Sequence, residues 1–216
     1  MHDGRRASQP ATKQDSRSPV ADRLADWLVC APLFLTTFLG KWALPGNIRG
    51  VGLPLALVLG VMIVGLASRR MLFDLPALVA YLGTVALLGV LQIVGGGQFS
   101  PGSLALMVVT YFFYVVRVDA RHLRRLDPLS VFSDLAAFVA ICGLAQFGGQ
   151  FFLPKEIVFP IESNLPTGML LDGYNMIIPI SFGSPLYKAN GIFCLEPSFF
   201  SQLLAMAILV ELCTRN

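Results

Sequence analysis

The stretch "LPALVAYLGTVALLGVLQIVGGGQFSPGSLALMVVTYFFYVV", residues 75–116, contains no Asp, Glu, Lys or Arg. Crossing a bilayer takes roughly 17–25 mostly apolar residues in helical form, so a charge-free run this long holds two crossings. The glycines and proline of "GGGQFSPG" (95–102) divide it at a turn. Residues 51–68 and 135–154 are also free of charge. The whole chain of 216 residues is 55% apolar and only 13% charged, with a mean hydropathy of +0.69. A soluble chain averages about 25% charge. The apolar runs are continuous, whereas a membrane β-barrel alternates polarity. The composition therefore predicts an all-α integral membrane protein.

Working outward from 75–116 gives six spans, near 24–40, 51–67, 73–94, 103–118, 129–153 and 197–214. Residues 1–23 are polar and predict a disordered tail. The first apolar run lacks a small-residue cleavage pattern and reads as a retained anchor. Twelve of the 16 basic residues fall before the first span, at Arg69 and Arg70, in 117–125 and at Arg215. Only Lys41, Arg49, Lys155 and Lys188 fall on the opposite side. The positive-inside rule then puts both termini in the cytoplasm and the long connection, 154–196, on the outer face. The net charge of +3 is thus a topology signal. No basic face with interleaved aromatics marks a nucleic-acid partner.

Of the four cysteines only Cys194 lies on the outer side, so all four read as packing residues. Asp26, Asp74 and Asp134 sit near cytoplasmic span ends, where Arg23, Arg70 and Arg125 are available to pair with them. Glu211 stands one turn before Arg215. The two histidines, His2 and His122, fall on the cytoplasmic side and are excluded as outer-face bases. No metal-ligand constellation, Walker lysine or nucleophile elbow is present, so no metal or cofactor is called for.

The connection is too apolar for disorder, and Pro160, Pro166, Pro179 and Pro185 forbid a long helix in it. The spacing predicts short irregular pieces and a hairpin around 182–185. It ends in "YKANGIFCLEPSFFSQLLAMAILVEL" (187–212), where Pro197 suits the first turn of a helix and Glu196 faces its positive end. Gly191 lets the backbone turn back, which predicts a cluster of Lys188, Asn190, Glu196 and Ser198. Two readings stand side by side: a helix cap with a structural ion pair, or a site for a ligand's sugar or phosphate groups.

The same residues resemble the O-antigen polymerase and ligase superfamily, in its polysaccharide-polymerase branch. Lys188, Ala189, Asn190, Gly191, Ile192, Phe193, Glu196, Pro197 and Ser198 follow its pattern, although arginine is commoner where this chain has Lys188. Lysine offers a point charge where arginine offers a fork. The resemblance implies a multi-pass glycosyltransferase of the bacterial inner membrane. Its donor would be an oligosaccharide on polyprenyl diphosphate, transferred without metal or cofactor. Substrate-binding roles would fall to Lys188, Asn190, Glu196 and Ser198, with the catalytic residues unknown. Members of the superfamily have further spans and a second outer loop, so the chain is expected to be an N-terminal half, inactive alone. Its expected partners are membrane lipid, a C-terminal half and other polysaccharide-assembly proteins. The competing classes are a transporter or flippase half, which predicts polar breaks at mid-membrane, and a noncatalytic membrane subunit.

Overall fold

The structure, a computed structural model, describes residues 19–44, 51–94, 101–118 and 127–214. They are mostly helical: α1 (Pro19–Phe38), α2 (Leu53–Ala67), α3 (Leu75–Val94), α4 (Pro101–Tyr111), α5 (Pro128–Gly149), two short pieces α6 (Lys155–Val158) and α7 (Pro160–Asn164), and α8 (Pro197–Thr214). Two strands, β1 (Met71–Phe73) and β2 (Val116–Val118), pair antiparallel with Met71 opposite Val118. Helices α3, α5 and α8 are long and apolar enough to cross a membrane; Asp26–Phe38, Leu53–Ala67 and Leu104–Val115 are shorter apolar stretches. This is a helical membrane protein.

Proline and acidic residues set the helix starts. Pro54 and Pro128 lie in the first turns of α2 and α5, where a missing N–H costs nothing. The Asp127 carboxylate accepts from the Leu129 and Ser130 amides, both at 3.2 Å, and Asp74 accepts from the Ala77 amide at 3.2 Å, so both satisfy otherwise orphaned donors. Inside α1, Pro32 removes one ladder bond, and the helix nevertheless continues to Phe38.

Two expectations need correction. The run 103–118 is not one helix: α4 stops at Tyr111, a tighter turn covers Phe112–Val115, and Val116–Val118 extend into β2. Hydropathy cannot separate helix from strand, and this aromatic and β-branched run favours the latter once β1 offers it an edge. The polar tail is shorter than 1–23, because α1 begins at Pro19; residues 1–18 lie outside the described ones. Asp74 pairs with Arg117, at 3.1 Å. The turn at 95–100, His122, Arg125 and Arg215 also lie outside the described residues.

Packing concentrates at two levels. Leu28, Met62 and Met71 are buried together with Phe112, Phe113 and Val116 near the β1–β2 end. Toward the other end Phe38, Phe138 and Phe193 form an aromatic cluster, with centroids 4.8 Å apart for Phe38–Phe193 and 6.1 Å for the other two pairs. Helices α3 and α8 bury no residue fully. Their apolar surfaces suit lipid, which needs no polar cover.

Candidate functional site

The connection 154–196 folds over one end of the helices. After α1 the chain runs extended through 41–44, between 169–171 on one side and 51–53 on the other. The Ala43 amide donates to Met169 O at 2.9 Å, the Leu171 amide to Lys41 O at 2.9 Å, and the Leu53 amide to Trp42 O at 2.8 Å. The expected hairpin is present: the Ile180 amide donates to Leu186 O at 2.9 Å and the Lys188 amide to Ile178 O at 2.8 Å, with Gly183 at φ +77° in its turn.

This backbone frame buries a polar network. Lys41 and Glu162 form an ion pair at 2.5 Å, with side chains 1% and 3% exposed. Lys41 Nζ also donates to the Ile192 carbonyl. The same Glu162 oxygen accepts from Asn190 Nδ2 at 2.7 Å, and Asn190 Nδ2 reaches Met176 O at 3.0 Å. Gln146 of α5 completes the ring. Its Nε2 donates to Asn190 Oδ1 at 3.0 Å, and its Oε1 accepts from the Asn190 amide at 2.9 Å. Burial pushes the Lys41 ammonium below the ordinary lysine pKa, outweighing the opposite pull of Glu162. Glu162 Oε2 is buried with no hydrogen-bond partner among the described residues. Burial likewise pushes the neighbouring Cys194 thiol up to about 11, against the Lys41 charge.

Gly191 and Ile192 turn the chain here at φ +66° and +68°. A Cβ on Gly191 would lie 2.7 Å from Val139 Cγ1 and 2.9 Å from the Phe200 ring. Only glycine lets the loop sit this close to α5 and α8.

The expected cluster is therefore divided. Glu196 precedes α8 as anticipated, but its carboxylate accepts from the Asn175 amide at 2.8 Å and the Ser198 hydroxyl at 3.2 Å, not from Lys188 or Asn190. The Asn190 amide serves Glu162 instead. Lys188 is exposed on the hairpin, and its ammonium makes no hydrogen bond or ion pair among the described residues. A lysine–asparagine–glutamate cluster exists, built from Lys41, Asn190 and Glu162. Sequence reasoning missed Lys41, Glu162 and Gln146. The available signal was Lys41 itself, a charge set directly against the end of an apolar span.

An apolar groove opens between α1, α2 and α4, about 770 Å³ in volume. It runs from Met71 and Val118 at the strand end, past Leu33, Val58 and Leu106, to Tyr174. The Tyr174 ring meets Phe199 of α8 edge-on at 6.4 Å, and the next residue, Asn175, holds Glu196. Tyr174 thus links the groove to the start of α8. Comparison with known protein families, with curated proteins and with solved structures finds no match to this chain.

Proposed function

We propose that the chain is part of a membrane glycosyltransferase, a polysaccharide polymerase or ligase of the bacterial inner membrane. It takes glycan units from a polyprenyl-diphosphate carrier at the outer face. In this reading the three shorter apolar stretches also cross the bilayer, giving six spans with both termini cytoplasmic. The basic asymmetry supports that orientation. So does the sorting of helix ends, since Arg69 and Arg70 precede β1 and Arg117 lies in β2, whereas Lys41, Lys155 and Lys188 belong to the opposite end.

One observation carries the proposal: an apolar groove reaches Tyr174, next to Asn175, whose amide donates to Glu196, and Glu196 also accepts from Ser198 at the start of a long helix. A lipid-linked glycan needs both, a greasy channel for the isoprenoid chain and polar groups at headgroup height. Glu196 and Ser198 would accept hydrogen bonds from sugar hydroxyls, and the exposed ammonium of Lys188 would meet the diphosphate. Asn190 has a different role in this account: buried in the Lys41–Glu162 network, it holds the loop in place.

The test is polymer formation by the complete protein in cells deleted for their own copy, normalised to membrane-inserted amount. Lys188→Ala is expected to abolish polymer at near-normal abundance, because an exposed lysine contributes at most about 1 kcal/mol to folding. Lys188→Arg should retain or raise activity, since a guanidinium grips phosphate oxygens in pairs. Wild-type polymer from Lys188→Ala would remove Lys188 from the site.

A further inference from the structure

Helix α5 presents Ile141, Leu144 and Phe147 outward, 65%, 74% and 40% exposed. This apolar face does not stop where the helix does. The Phe147 ring meets Phe151 edge-on at 5.7 Å, and Phe151 meets Phe152 at 6.5 Å, so a ladder of rings continues past Gly149. Phe152 is 87% exposed, and Leu153 and Ile157 follow it outward. Nor is the segment a loose end. The Phe152 and Leu153 amides both donate to Gly149 O, at 3.0 and 2.8 Å. Gln150 accepts from the Tyr187 amide at 2.6 Å and donates to its carbonyl at 3.0 Å. Lys155 lies over the Tyr187 ring, 4.8 Å from its centroid.

From this geometry we infer that residues 151–157 lie in the interfacial layer of the bilayer, their rings among the headgroup-proximal parts of the acyl chains and the Lys155 ammonium at the lipid phosphates. The inference rests on the membrane-spanning reading of α5. Two features select a phospholipid surface as the occupant. The exposed rings continue the exposed apolar side of α5 without a break, and apolar rings followed by a lysine match the order of a segment lying at a membrane–water boundary. Glu156 stands beside Lys155 and offsets its charge, so the contact is with the phosphate of any phospholipid and needs no net-anionic membrane. The consequence is a fixed height for the connection: Gln150 ties this anchored segment to the hairpin that carries Lys188.

The test places Phe152→Trp in the full chain, in phosphatidylcholine nanodiscs, with its emission taken as the difference from the unsubstituted chain. Lipids brominated near the headgroup end of the acyl chain are expected to quench it at least about threefold more than lipids brominated at mid-chain. Aqueous iodide should have little effect. Lys155→Glu in the same background should weaken the headgroup-end quenching. Leu144→Trp, inside α5, should show the opposite order of bromine positions. Emission from Phe152→Trp that iodide quenches and bromolipids do not would overturn the inference. Emission that none of them reaches would also overturn it, assigning the face to a protein partner or second copy. If Leu144→Trp escapes both bromolipids, the spanning of α5 itself fails, which separates the two claims.

Discussion

At the scale of single residues, the informative group is Lys41. A lysine with a 1% exposed side chain is stable only because Glu162, 2.5 Å away, and the Ile192 carbonyl replace the water it has lost. Removing one partner leaves the other charge buried alone. Lys41→Met is therefore expected to cost about 3–5 kcal/mol, and joint replacement of Lys41 and Glu162 by methionine should recover most of it. Thermal unfolding of the purified chain in detergent, followed by circular dichroism, reads both. Full additivity of the two single losses would contradict a coupled pair. Cys194 makes a second test. Its pKa rises from 9.0 to about 11; the native state therefore holds the proton longer than the unfolded chain. That stabilising contribution is complete below pH 9.0 and is lost as pH rises through about 11. At pH 9 a free thiol is about half ionised and Cys194 about one part in a hundred. Alkylation of Cys194 by iodoacetamide at that pH should lag far behind that of the exposed Cys213; equal rates would refute its burial. The packing role of Cys194 was legible in sequence, but the partners in the buried network were not. Lys41 is 121 residues from Glu162, and Gln146 is 44 from Asn190; only the folded connection brings them together.

At the scale of elements, α5 and α8 pack through a glycine rather than through matched large side chains. A Cβ on Gly143 would fall 2.3 Å from Phe200 Cζ. Gly143→Ala should therefore destabilise by about 1–3 kcal/mol through overpacking, and Phe200→Leu in the same chain should relieve part of that loss. The control is Gly183→Ala in the hairpin turn. It has open space around it and φ +77°, so only backbone strain of about 1–2 kcal/mol is expected. A Gly143→Ala variant as stable as the parent would mean that the two helices do not meet here. The long apolar elements were readable because lipid demands uninterrupted hydropathy. Pro197 and Glu196 announced α8, and 182–185 announced the hairpin, since both depend on local backbone chemistry. The strand at Val116–Val118 was not readable from hydropathy, because its pairing with β1 is a tertiary event.

At the scale of the whole molecule, the helix ends divide into a strand end bearing Arg69, Arg70 and Arg117 and a loop end closed by the buried network. The proposed function requires the loop end to face outward, where lipid-linked glycan is polymerised. Ser163 is exposed on α7, directly after Glu162. Cys213, near the far end of α8, supplies a native reporter for the opposite side. The decisive measurement is labelling of a Ser163→Cys variant by a membrane-impermeant maleimide in intact cells. With the loop end outward, position 163 is labelled before lysis and Cys213 only after it. Labelling of Cys213 in intact cells, with position 163 protected until lysis, would contradict it.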